Sequence, residues 1–294
     1  MINLTMTWTR YWGYDMQILF NECSLIGQFY DSDAFVKKGL LPFIGALKEM
    51  QGFSTVLLLK KSDAWSQMVT PDDTLHSFLV KSPLRKSDEI RRLKSAISTL
   101  SKEPFWDFDS KQNPDSTYLF DGVDIWGSSP AEACERDKIL VSFVLSAASV
   151  DPLTLIRNGT TIPLLNVTCF GMLTEFLWEN KRISFEAYLK SRFSKGKLDF
   201  SRVDKKMGFS RIQGAEQSLF IDTFRKFEEL TWDQICSDKG LDYKAFHGTL
   251  PGRRRDIRTY KFRASEKIRC HGYREKDSFV VAGFETDHKL SDRG

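Results

Sequence analysis

Cysteine is scarce and scattered in this 294-residue chain. Cys23, Cys134, Cys169, Cys236 and Cys270 are odd in number, and none forms a CxxC pair. That excludes a disulfide framework and a cysteine-based zinc site, and points to reduced thiols in a cytoplasmic setting. No Walker A loop, HExxH, GxSxG or GxGxxG occurs. Nucleotide hydrolysis, zinc proteolysis and a Rossmann cofactor are therefore without support, and no cofactor or metal is expected. No apolar run approaches the length that spans a bilayer, and the opening MINLTMTWTRYWGY lacks a basic head followed by a long apolar stretch. Neither a membrane anchor nor a signal peptide is expected. Internal repeats and low-complexity tracts are absent too.

The chain does have apolar residues at 41% and charged residues at 28%, the balance of a soluble globular protein. Its 23 phenylalanines and seven tryptophans predict aromatic cores. Its length suits two ordinary domains. In the first part, DAFVKKGLLPFIGALKEM (33–50) has helical spacing that Pro42 can interrupt, and FSTVLLLKK (53–61) predicts a buried strand. TLHSFLVK and SDEIRRLKSAISTLSK predict helices capped by Thr74 and Ser87. The acidic, aromatic stretch 103–128 predicts an ordered loop with short strands. Ser129-Pro130 then opens a short helix, and ILVSFVLSA (139–147) predicts a core strand. After a Pro/Asn/Gly-rich stretch, helices are expected near 170–179 and 184–193. The expected domain boundary falls in the polar, irregular segment 194–214 or shortly before it.

The last 80 residues have simpler grammar. EQSLFIDTFRKFEEL predicts an amphipathic helix with Leu219, Phe220, Phe224 and Phe227 on one side, and Thr231 caps a second, shorter one. YKFR, IRCHGYR and SFVVAGF then predict three antiparallel strands. This region carries the positive charge. From Lys244 to Lys276 there are 11 Lys/Arg against Asp256, Glu266 and Glu275, whereas the whole chain has a net charge of only +4. Side chains alternate along a strand. Lys261 and Arg263 therefore share one face, as do Arg269, His271 and Tyr273, with Tyr260, Phe262, Ile268 and Cys270 opposite. The alternation predicts a sheet with one apolar and one cationic side. Such a side suits phosphates, and Arg253, Arg254, Arg255, Arg258, Lys261, His271 and Arg274 are the candidate nucleic-acid-binding residues. A solvated edge strand, charged to resist aggregation, is the alternative.

Thr231-Trp232, Phe262-Arg263, Arg269, Gly272, Phe279 and Glu285-x-x-His288-Lys289 occur in an order and spacing that resemble the RelE/ParE-like toxin superfamily. The resemblance covers about the last 65 residues. For the C-terminal domain, 214–294, it implies helices packed on an antiparallel sheet; with the mixed α/β pattern of 1–213, expected to be a regulatory or partner-binding domain, the expected fold class is α+β. It also implies a metal-independent endoribonuclease, in which the RNA 2′-hydroxyl attacks the adjacent phosphate. By that resemblance Arg269 matches the phosphate-clamping arginine and Arg263 is a second phosphate ligand. His288 matches the C-terminal acid or base, with Lys289 beside it on the RNA. Many relatives carry Trp-Trp-Asp-Pro before the terminal histidine, where this chain has Gly283-Phe284-Glu285-Thr286. The N-terminal part is similar to an uncharacterised bacterial family associated with phage-defence loci. The implied partners are RNA or a ribosome, and an antitoxin or another defence protein. A degenerate toxin fold that binds nucleic acid, a ribosome or a protein without chemistry is the alternative function.

Two other groupings have bland readings. Asp107, Asp109, Asp115, Asp121 and Asp124 could hold an ion, but in a turn-rich segment they are expected to cap loops. His76, in a helical run with apolar neighbours, is expected to be structural.

Overall fold

The computed structural model describes residues 16–81, 95, 98–248, 250 and 257–287. The expected Ser87 cap, together with Arg253, Arg254, Arg255, His288 and Lys289, lies outside these residues. The fold is α+β, with two mixed sheets, and the chain divides into units Met1–Leu173 and Thr174–Gly294.

The N-terminal unit is built on seven strands: β1 (Met16–Phe20), β2 (Val56–Leu59), β3 (Tyr118–Phe120), β4 (Val123–Asp124), β5 (Ile139–Val141), β6 (Leu153–Arg157) and β7 (Thr160–Val167). Their order is β2-β1-β5-β7-β6-β3-β4. The first four in that order run parallel, and the others add antiparallel. Parallel strands bury both faces, so they read as unbroken apolar runs. Ile18, Leu19 and Phe20 are accordingly all sealed. One side of the sheet packs on Trp106, Tyr118 and Leu155. Phe20 joins a second aromatic group in which Phe43 and Phe143 stack at 4.1 Å.

Helices α1 (Ser32–Ala34) and α2 (Leu41–Gln51) are joined by a π-helical stretch, Phe35–Leu40. Pro42 stands at the start of α2, so the missing proline N–H falls where the helix changes pitch rather than inside a regular ladder. Helix α3 (Leu75–Lys81) begins where Thr74 Oγ1 accepts the Ser77 N–H at 3.0 Å. Helix α4 (Ser129–Cys134) carries its proline in the first turn and is capped by Ser128. The β6–β7 hairpin was not anticipated. Its turn is Asn158-Gly159, with φ of 48° and 81°, the two left-handed positions that an Asn-Gly turn supplies. The segment 139–147, expected as one strand, stops pairing at Val141.

The C-terminal unit takes in more chain than the expected 214–294. Helix α5 (Met172–Glu179) straddles the division, and α6 (Phe185–Arg192) contributes Phe185, Tyr188 and Leu189 to the C-terminal core. Strand β8 (Leu198–Asp199) pairs parallel with β12 (Ser278–Glu285). A boundary at 213/214 would cut off both, and the division falls earlier, at Leu173/Thr174. The remaining elements are α7 (Ala215–Glu229), α8 (Trp232–Ser237), β9 (Lys244–Phe246), β10 (Thr259–Arg263) and β11 (Arg269–Glu275). Sheet order is β8-β12-β11-β10-β9, antiparallel except for β8.

Helix α7 buries Phe220, Phe224 and Phe227, spaced four and three residues apart on one stripe. Leu219, expected on that stripe, is 41% exposed, and Ile221 is buried in its place. Thr231 and Gln234 form a reciprocal capping box at the start of α8, with bonds of 2.8 and 3.3 Å. The helices cover the sheet face that carries Phe262, Cys270, Phe279, Val281 and Phe284. Phe262 and Cys270 fall on the side that alternation predicts to be apolar, and β12 supplies Phe279 and Val281 before, and Phe284 after, an irregularity in its pairing with β11.

Candidate functional site

The opposite face of the C-terminal sheet gathers the basic residues. Cross-strand register sets Lys261 opposite His271, Arg263 opposite Arg269, and Lys261 opposite Lys244. Arg269 in turn faces Glu285 on β12. Tyr273 Oη accepts a bond from Arg202 at 2.7 Å. Lys261, Arg263, Arg269 and His271 are thus neighbours, placed by two strands whose other alternate residues are held in the aromatic core.

This face is not an open basin. Lys261 and Arg269 are each 6% exposed and His271 is fully buried. Arg269 Nη1 donates to the carbonyls of Ser265 at 2.5 Å and Ile268 at 3.2 Å. His271 Nε2 meets Glu285 Oε2 at 2.7 Å, and its ring stands edge-on to Phe246 at 4.7 Å. The Lys261 ammonium lies over the same Phe246 ring, 5.3 Å from its centre. Arg263 reaches Asp242 at 3.1 Å, and Lys244 shares that carboxylate at 2.9 Å.

Burial sets the electrostatics. It pushes the His271 pKa down, against the opposing bond to Glu285. It also lowers the Lys261 ammonium, and the nearby Lys244 charge adds to that effect. Asp242 sits below the usual carboxylate range because Lys244 hydrogen-bonds to it. A neutral His271 that donates Nε2–H to Glu285 leaves Nδ1 as a bare acceptor. Nδ1 is buried with no hydrogen-bond partner among the described residues, as is Arg263 Nε. Chemically, Arg263 and Lys244 are the more exposed cations of the cluster, and His271 is an imidazole held by a carboxylate and sealed from solvent.

Two candidates lie elsewhere. Arg274 turns to the helix side, where its guanidinium stacks 3.9 Å from the Trp232 ring centre and Nε donates to the Lys276 carbonyl. Arg258 is exposed and lies over Tyr260 at 5.4 Å. Three participants were not singled out from sequence as site residues: Glu285, Asp242 and Phe246. Glu285 carried the clearest signal, since it stands in the Glu285-x-x-His288-Lys289 motif, where it was given no role.

Among the described residues no group of His, Cys, Asp or Glu is arranged to hold a metal ion. Asp124 caps its own loop, and Asp107 binds the loop at Ser62. Asp107 accepts from the Ser62 N–H and hydroxyl, and Asp124 from the Tyr118 and Trp126 N–H groups. His76 lies edge-on to Trp65 at 6.1 Å. No helix among the described residues is long and apolar enough to cross a membrane. No family model, curated protein or solved structure matches the chain.

Proposed function

We propose that this chain is a bacterial toxin or anti-phage defence protein whose C-terminal unit is a RelE-like module that engages RNA. The observation that carries the reading is the two-sided sheet. Helices α7 and α8 pack one face, and Lys261, Arg263 and Arg269 gather on the other with His271 and Glu285. In the cleaving form, Arg263 and Arg269 neutralise charge on the phosphoryl oxygens while the RNA 2′-hydroxyl attacks, and His288 transfers protons. The N-terminal unit would sense a trigger, bind a partner or restrain the toxin.

The burial of Lys261, Arg269 and His271 favours a second reading, a toxin fold that docks RNA, a ribosome or a protein without chemistry. One assay separates the two. The purified protein is incubated with labelled mRNA in EDTA, with and without ribosomes, and fragments ending in 2′,3′-cyclic phosphate are sought. Arg263→Ala is the informative variant, because Asp242 keeps Lys244 as a partner and the fold is preserved. Loss of one charge-stabilising group should lower cleavage by about two orders of magnitude. Binding without fragments selects the docking reading. Neither binding nor fragments ends both.

A further inference from the structure

The N-terminal unit has a pocket that the RNA reading does not use. It has a volume of about 500 Å³. Val56 and Leu58 form one wall, Leu47, Met50 and Phe53 another, and Lys102 and Glu103 stand at its polar side. Lys60 completes the first wall. Residues 56, 58 and 60 alternate along one face of the extended run, while Leu57 and Leu59 point into the core.

Lys60 lies just past the carboxyl end of parallel strand β2, and such strand ends are where ligands bind in open α/β sheets. Its main chain is held on both sides of the bond. Lys60 bridges Phe105, and its carbonyl accepts the Trp106 N–H at 3.0 Å. The residue is only 3% exposed. It meets no carboxylate at ion-pair distance among the described residues, and its ammonium lies over the Phe105 ring at 5.7 Å. Buried lysines are ordinarily paired, so this one is anomalous as structure. Burial pushes its pKa down to about 8, with only Glu103 pulling the other way. An appreciable fraction is therefore free amine at neutral pH, the form that attacks carbon.

We propose that Lys60 and this pocket form an imine site for an apolar carbonyl compound, an aldehyde or ketone. The Nζ lone pair forms the C–N bond to the carbonyl carbon. The carbinolamine then loses the former carbonyl oxygen as water, with the two hydrogens of the amine. No oxidant or reductant is needed. The aliphatic wall accommodates the chain of the carbonyl compound, and Glu103 lines the pocket where a proton must be passed.

The test treats the full-length protein with hexanal and cyanoborohydride, then maps the alkylated lysines by mass spectrometry. The expected result is alkylation of Lys60 at least about tenfold faster than of the exposed Lys37 and Lys190, with a midpoint near pH 8. The rate should saturate with hexanal, as binding in a pocket requires. Lys60→Met and Lys60→Arg should abolish alkylation at position 60, leave the other lysines unchanged and retain the circular dichroism of the parent. Alkylation of Lys60 no faster than Lys37, or a rate strictly linear in hexanal, overturns the proposal. RNA cleavage plays no part in this outcome, so the two readings fail separately.

Discussion

The two sheets put their polar chemistry in different places. In the N-terminal unit it collects at strand ends. Asn21 follows β1, Ser142 follows β5 and Asn166 is near the end of β7; Asn21 Nδ2 donates to Ser142 Oγ at 2.8 Å, which donates to Asn166 Oδ1 at 2.5 Å. Glu22, one residue on, accepts the Ser129 N–H at 2.8 Å, and burial raises its pKa. In the C-terminal unit the polar groups stand in the middle of a sheet face. Parallel strands that are covered on both sides have no free face to carry charge, so only their ends remain. An antiparallel sheet with helices on one side has a whole face to give.

That contrast can be attacked first through the covered side. Phe224 touches Phe193, Phe200, Phe220, Phe262 and Phe284. Phe224→Ala should destabilise the C-terminal unit by about 3–5 kcal/mol, read by urea denaturation with hydrogen exchange on β10–β12 amides. The exposed Leu219→Ala should cost a small fraction of that. Equal losses would mean that α7 does not organise the core as described.

The buried bases give the next largest effect, at opposite ends of the pH scale. Lys60 has a folded pKa of about 8 and an unfolded value near 10.5, so the unfolded chain holds more protons between these limits. Stability of the N-terminal unit should therefore rise with pH across that window, by up to about 3 kcal/mol, and Lys60→Met should flatten the profile. His271 is also depressed, from 6.5. The C-terminal unit should lose stability as pH falls below that value, because the unfolded imidazole protonates first. Thermal melts from pH 4.5 to 10.5, assigned by hydrogen exchange, check both arms. A C-terminal unit insensitive to acid would contradict a neutral His271.

The smallest effect concerns turns and caps. Gly159 has φ of 81°, so Gly159→Ala should cost about 1 kcal/mol in the N-terminal unit. Thr231→Ala removes half of a capping box and should cost a similar amount, about 1 kcal/mol, in the C-terminal unit. Equilibrium denaturation of the two variants measures both.

Legibility followed the same division. The alternation over 260–273 assigned Phe262 and Cys270 to the core and Lys261, Arg263, Arg269 and His271 to the other face, because period two is a local property. What covered that second face was not local, so the 6% exposure of Lys261 and Arg269 had no signal in the strands themselves. Strands β4, β8 and β9, of two or three residues, are too short for a period to show. The β6–β7 hairpin was hidden in a stretch read for its proline and glycine, though Asn158-Gly159 was its own sign. Lys60 was visible only as one of two lysines ending an apolar run, and its isolation depends on Phe105 and Glu103, far along the chain.

Strand β12 is the last of the described strands in sequence, yet it occupies an inner position between β8 and β11. Leu198 must wait for Phe279, and Phe224 and Phe227 for the same late arrival. During synthesis, the phenylalanine stripe of α7 emerges well before the strand that closes over it. The nascent chain thus passes through an interval of sticky, half-covered intermediates, a demand on holding chaperones that a sheet completed in sequence order would avoid.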